Sequence, residues 1–133
     1  MNNRILIIDD DKELCTEIGE ILEDEGYEVT LTGDGRSGLE LLQSEFFSLV
    51  FLDLKIPGMP GAQVLERIRE SNIPVKVLVI TGSFLVAKGQ QELSHEQKRI
   101  VEFADGILGK PCDIELLLNE TRRLTTGNKS EKG

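Results

Sequence analysis

The stretch LVFLDLKIPG, residues 49–58, decides the fold of this chain. Its apolar run, 49–52, is typical of a short strand buried on both faces of a parallel sheet. The run ends in a carboxylate, Asp53, and Pro57 and Gly58 mark the turn that follows. Ligands and chemistry collect at the carboxyl ends of strands in open α/β sheets, so Asp53 is a candidate functional residue. Taken alone, it would more often be a residue that caps a helix or braces a loop.

Apolar runs and helical periodicity alternate along the whole sequence. Strands are predicted at 5–8, 27–31, 49–52, 75–80 and 106–109. Among the intervening helices, the second presents Leu39, Leu42 and Phe46 on one face, Ser94 begins the fourth, and Asp113 can cap the last. This alternation predicts a doubly wound, flavodoxin-like α/β fold with helices on both faces of a five-stranded parallel sheet. The strand order 2-1-3-4-5 is taken from known folds of this kind.

The composition fits a single globular domain, with 39% hydrophobic and 29% charged residues. The net charge of −9 disfavours binding to nucleic acid or to an anionic membrane, because both require a basic surface. No apolar run is long enough to cross a bilayer and no signal peptide is visible, so a cytoplasmic protein is expected. Cys15 and Cys112 are expected to be free thiols. One domain is predicted over 1–126, and 127–133 is predicted to be a polar tail or linker stub.

Polar residues follow four of the five predicted strands. Asp9 and Asp10 follow the first strand, Asp53 the third, Thr81 the fourth and Lys110 the fifth. In the order 2-1-3-4-5 these strands are neighbours, so their carboxyl ends bring three carboxylates, a hydroxyl and an ammonium into one pocket. Clustered carboxylates repel one another and need a cation. Oxygen donors favour a hard ion, Mg²⁺, with Asp10 and Asp53 as direct ligands and Asp9 holding a bound water.

This set of side chains suits phosphoryl transfer. A carboxylate can act as a nucleophile and form an aspartyl phosphate. The reaction depends on positioning and charge neutralisation, which Mg²⁺, Lys110 and Thr81 would supply. Each residue alone has an ordinary explanation, such as a surface lysine, a strand end or an acidic helix N-terminus. Their joint placement at four strand ends favours the functional interpretation.

Four motifs carry a resemblance to a known family: IIDDD at 7–11, LDLKIPGMPG at 52–61, TG at 81–82 and KP at 110–111. They resemble the motifs of response-regulator receiver domains, and the resemblance covers nearly the whole chain. It implies that Asp53 is the phosphoacceptor and that a histidine kinase or phosphotransfer protein supplies the phosphoryl group.

The same resemblance assigns the remaining site residues. Asp9 and Asp10 would be the acidic pair that binds the metal, and the backbone carbonyl of Lys55 would complete the ligands from the protein. Thr81 and Lys110 would contact the phosphoryl group. In this family the Lys-Pro bond is usually cis, which fits a tight turn at Pro111 that aims the ammonium inward.

The chain departs from the family pattern in two places. Ile107 occupies the switch position, three residues before the lysine, where receivers usually carry Tyr or Phe. The connection from Thr81 to Lys110 is unusually long, with the extra residues in 83–93, which include an apolar FLV run at 84–86. Receivers commonly signal through the face made by helix four, strand five and helix five, so a downstream protein partner or self-association is expected there.

Two other functions are compatible with parts of the sequence. A pseudo-receiver would act as a protein-binding scaffold without phosphorylation, and Ile107 and the long connection favour it. A phosphatase with an aspartyl nucleophile would carry Asp-x-Asp, and Lys55 in place of the second Asp argues against it. His95, the single histidine, is expected to be an exposed residue in the first turn of a helix.

Overall fold

The structure is a computed structural model that describes residues 3–82 and 94–132, with side chains up to residue 126. The predicted insertion at 83–93, with its apolar run at 84–86, lies outside the described residues. Among those that are described, no helix is both long and apolar enough to cross a membrane.

Five parallel strands form one sheet in the order β2-β1-β3-β4-β5, which confirms the predicted topology. The strands are β1 Arg4–Ile8, β2 Glu28–Thr32, β3 Leu49–Leu52, β4 Lys76–Thr81 and β5 Gly106–Gly109. In the register of the sheet, Ile8 lies beside Leu52, and the N–H of Asp53 donates to the Ile8 carbonyl at 3.0 Å. Asp9 and Asp53, which follow these two residues, therefore lie next to each other at the carboxyl edge of the sheet.

The five helices lie in two layers, one on each face of the sheet. They are α1 Lys12–Asp24, α2 Gly35–Ser44, α3 Gly61–Glu70, α4 His95–Phe103 and α5 Ile114–Lys132. Alternate residues of each central strand point to opposite layers. Leu6 and Val50 join the core beneath α2 and α3, whereas Ile7 and Phe51 join the core beneath α1 and α5. All four residues of β3 are buried, as the apolar run predicted.

Side-chain caps fix where α1, α2, α4 and α5 begin, whereas α3 follows Pro60 without a side-chain cap, and all of these starts lie at the carboxyl edge of the sheet. Ser94 and Gln97 form the predicted capping box, and Oδ1 of Asp113 accepts from the N–H of Glu115 at 2.8 Å. Asp11 and Asp34 cap α1 and α2, a role that the sequence analysis did not assign to them. His95 is exposed at the start of α4, as expected.

The prediction that Phe46 lies on the buried face of α2 is wrong. The helix ends at Ser44, and Glu45 is extended, with φ −134° and ψ 158°. The helical spacing from Leu42 therefore no longer applies, and Phe46 is 54% exposed. Phe47 enters the core in its place, with the Arg4 guanidinium 4.5 Å from the centre of its ring.

The backbone of α5 stays helical as far as Lys132. The polar segment predicted as a tail thus continues the last helix over residues 127–132. The domain boundary at residue 126 stays a prediction.

Candidate functional site

The ends of β1 and β3 bring three carboxylates together, as the sequence predicted. Each of Asp9, Asp10 and Asp53 offers an oxygen, and these oxygens lie within 4.8 Å of one another. Asp9 and Asp53 are each only 6% exposed, whereas Asp10 lies at the surface. Two buried acids and one exposed acid thus form a site that is open to solvent on one side.

The turn after β5 brings the ammonium of Lys110 between the two buried acids. Its Nζ lies 2.9 Å from Oδ2 of Asp9 and 3.1 Å from Oδ2 of Asp53. The Lys110-Pro111 peptide bond is cis, as expected, and the N–H of Lys110 donates to the Thr81 carbonyl at 3.1 Å. The cation therefore offsets part of the repulsion between the buried carboxylates.

Backbone N–H groups hold the buried carboxylates in place. Oδ1 of Asp53 accepts from the N–H of Lys55 at 3.2 Å, and Oδ1 of Asp9 accepts from the N–H of Asp11 at 3.0 Å. Each acid thus pairs with a backbone donor through one oxygen and with Lys110 through the other.

Burial raises the pKa of Asp53 above its ordinary value. The Lys55 N–H and the Lys110 ammonium oppose this shift, and the negative charge of Asp9 adds to it. For Lys110, burial alone would lower the pKa, but hydrogen bonds to Asp9 and Asp53 outweigh it and raise the pKa. The ammonium of Lys110 therefore stays charged. The environment of Asp53 disfavours its charged form, and a pKa shifted in this way is typical of functional sites.

Thr81 is fully buried at the end of β4, on the same edge of the sheet. Ile107 lies elsewhere. It is half-buried within β5 beside Val79 and packs against the core beneath α2 and α3. The structure therefore places Ile107 in the sheet and not among the charged residues.

Pro57 and Gly58 form the predicted turn beyond Asp53. Gly58 has φ +79°, in the left-handed region that glycine adopts without strain. The carbonyl of Pro57 accepts from the N–H of Gly35 at 3.2 Å, which ties this turn to the start of α2. No local sequence pattern predicts this contact.

Cys15 lies directly behind the acidic cluster, a position that was not predicted from the sequence. Its Sγ donates to the Asp9 carbonyl at 3.2 Å, and burial raises its pKa to about 11. The helical spacing from Cys15 to Ile18 and Leu22 could have placed it on the buried face of α1. Cys15 and Cys112 are both free, as expected.

The residues present fit Mg²⁺. All the donors are hard carboxylate oxygens. Opposite ligands of Mg²⁺ lie about 4.2 Å apart, since each stands about 2.1 Å from the ion. The oxygens of Asp9, Asp10 and Asp53 lie within 4.8 Å of one another, an upper bound that is compatible with a single ion. Asp10 is the exposed member of the cluster and is accessible to an ion arriving with its water.

The match to known proteins agrees with this fold. The family model for the response regulator receiver domain matches residues 5–122. The chain belongs to this family, and it is a receiver domain of two-component, phosphorelay signalling. Receiver domains are signalling modules that generally bind Mg²⁺ in an acidic pocket and interact with histidine kinases or phosphotransfer proteins.

Individual relatives are similar over most of this chain. Sporulation initiation phosphotransferase F of Bacillus subtilis is 29% identical over 92% of this chain and 94% of its own. The crystal structure of a CheY-like receiver domain protein from Methanospirillum hungatei has a TM-score of 0.83 and 30% identity, covering 98% of this chain and 99% of its own. The solved structure thus supports the fold over nearly the full length of both chains.

Other relatives are longer. The transcriptional regulatory protein DltR of Streptococcus agalactiae is 32% identical over 92% of this chain but only 51% of its own length. The chain therefore spans about half the length of this relative. Because relatives include transcriptional regulators, the expectation that this chain binds no nucleic acid is not supported.

Proposed function

We propose that Asp53 accepts a phosphoryl group from a partner histidine kinase or phosphotransfer protein, with Mg²⁺ bound beside it, and that the chain relays a conformational change through protein contacts. The observation that carries the proposal is the buried pair of Asp53 and Asp9 with Lys110 between them. A structural ion pair needs one carboxylate for one ammonium. The extra acids, Asp9 and Asp10, are what a bound cation requires, and such a cation would neutralise the charge of the phosphoryl oxygens.

Each side chain has a distinct role in this reaction. The Asp53 carboxylate attacks phosphorus, so an oxygen–phosphorus bond forms while the bond to the donor's nitrogen breaks. Lys110 exchanges its contact with Asp53 for one with the phosphoryl oxygens, and the Thr81 hydroxyl donates to another of them. Asp9, Asp10, Asp53 and the Lys55 carbonyl would hold Mg²⁺, which neutralises charge on the phosphoryl oxygens when bound.

The face formed by α4, β5 and α5 is the proposed output surface, for a downstream protein or a second copy. The helices of this face carry large exposed apolar side chains: Val101 on α4, and Ile114 and Leu116 on α5. Ile107 has no hydroxyl or ring, so a swinging aromatic cannot report phosphorylation at this position. A cytoplasmic location also stays a prediction.

A mass measurement tests the function. Incubation with a small-molecule phosphodonor and Mg²⁺ should raise the intact mass by one phosphoryl group, and excess chelator should prevent the gain. A pseudo-receiver would gain no mass with or without Mg²⁺. If the protein gains no mass and circular dichroism shows that it is folded, the phosphoacceptor function is wrong and the scaffold function takes its place.

Asp10→Asn should weaken Mg²⁺ binding by about tenfold or more, because it removes one of the few carboxylates available to the ion. In chelator the same change should leave the free energy of unfolding unchanged or raised, since Asp10 is exposed and adds to the repulsion in the cluster. Calorimetric Mg²⁺ titration and urea unfolding measure the two effects. A clear loss of stability for Asp10→Asn in chelator would contradict this account of the cluster.

A further inference from the structure

The loop 53–61, between β3 and α3, carries both Asp53 and Lys55 and is closed at its base. The N–H of Gly61 donates to the Leu54 carbonyl at 3.1 Å. A Cβ at Gly61 would lie 2.5 Å from the carbonyl oxygen of Asp53, so the two ends of the loop meet with no space between them. The base of the loop is thus fixed by its own backbone.

The far side of the loop rests on the N-terminus of α2. Asp34 caps this helix, because its Oδ1 accepts from the N–H of Ser37 at 2.8 Å. N–H groups in the first turn of a helix lack a partner within the helix. The N–H of Gly35 finds its partner in the loop, donating to the Pro57 carbonyl at 3.2 Å.

Gly35 is buried at this contact, and the loop backbone occupies the space that a side chain would need. A Cβ at Gly35 would lie 2.2 Å from the carbonyl oxygen of Met59 and 2.9 Å from Cγ2 of Val64. The Val64 methyl could turn away, but the Met59 oxygen belongs to the backbone. Real Cβ atoms essentially never lie closer than 3.0 Å to another heavy atom, so an alanine here must move α2 or the loop.

We infer that Gly35 is a positioning residue of the site. Its close approach holds the loop 53–61 where the Asp53 carboxylate lies beside Asp9 and Asp10 and where the Lys55 carbonyl would complete the ligands of an ion. As far as it concerns Mg²⁺, the inference rests on the proposed function. Mg²⁺ demands a near-ideal octahedron, so a small displacement of one ligand lowers affinity. Partners that orient metal ligands from outside the coordination sphere typically change affinity by about 10–100-fold when altered.

Gly38→Ala is the matched control for Gly35→Ala. Both glycines are buried in α2, and both substitutions add the same methyl group to the same helix. The Cβ at Gly38 would meet the Ile8 side chain, 2.4 Å from its Cδ1, and not the loop. Any general effect of crowding α2 against the core should therefore appear in both variants.

Two measurements are made on the full chain: calorimetric Mg²⁺ titration, and amide hydrogen exchange over 53–61 in chelator. Gly35→Ala should bind Mg²⁺ about tenfold or more weakly than Gly38→Ala, and its loop amides should exchange faster than those of the control. Equal affinities with equal exchange over 53–61 would overturn the inference. If the wild-type chain binds no Mg²⁺, the proposed function fails, and exchange in chelator still decides the role of Gly35.

A second variant covers the case in which Gly35→Ala does not fold. Asp34→Ala removes the cap that sets the start of α2, a loss that a folded domain withstands. It should speed exchange over 53–61, because the helix end that supports the loop is loosened. Unchanged exchange over 53–61 in Asp34→Ala, with faster exchange confined to α2, would also overturn the inference.

Discussion

Asp53→Asn should gain no phosphoryl group under conditions in which the wild-type chain gains one. The amide keeps the size of the side chain and can still accept from the Lys55 N–H, but its oxygen is a poor nucleophile and forms no acyl phosphate. Asp53 is also the acid at the end of the fully buried strand β3, within 3.1 Å of the Lys110 ammonium. The expected effect is complete loss, measured by intact mass after treatment with phosphodonor and Mg²⁺.

Asp11→Asn is the control for this experiment. Asp11 lies in the same acidic run, but its side chain caps α1 by accepting from the N–H of Leu14 at 3.1 Å. Asparagine caps helices equally well, so this variant should fold and gain mass like the wild type. If Asp53→Asn gained the same mass as the wild type, another residue would be the acceptor.

Much of the fold and of the charged site could be predicted from local sequence. The run 49–52 lacks a polar residue, and such a run in a short strand implies burial on both faces. Once β1 and β3 are neighbours in a parallel sheet, Asp9 and Asp53 must leave it at the same edge. That rule depends only on topology, which explains why the sequence predicts that Asp9, Asp53 and Lys110 lie together.

Contacts between segments remote in sequence were not predictable in this way. The approach of Gly35 to Met59 depends on how α2 packs over the loop, and no local pattern encodes that distance. The error at Phe46 has a similar cause. Helical spacing predicts a buried face only as far as the helix continues, and α2 ends two residues earlier. Element ends are where periodicity carries the least information.

Lys110→Met should destabilise the metal-free protein at neutral pH by about 2 kcal/mol. Methionine keeps much of the apolar stem but leaves the Asp9 and Asp53 carboxylates buried without the cation between them. Removing one partner of a fully buried ion pair costs about 3–5 kcal/mol, and the effect is smaller here because Lys110 is 23% exposed. Urea unfolding in chelator measures the loss. Lys98→Met, at an exposed position on α4, should change stability by less than about 0.5 kcal/mol.

The pH dependence identifies the cause of that loss. The pKa of Asp53 is already raised above 3.8 in the folded wild type, and losing Lys110 raises it further. A group whose pKa is raised on folding contributes stability that is fully present below its unfolded pKa and is lost as pH rises through the folded pKa. The deficit of Lys110→Met should therefore be small near pH 4 and grow toward neutral pH. Adding Asp53→Asn should recover part of it, because one of the two buried charges is removed. A deficit that is equal at both ends of this range would mean that lost packing of the lysine stem, and not carboxylate repulsion, is responsible.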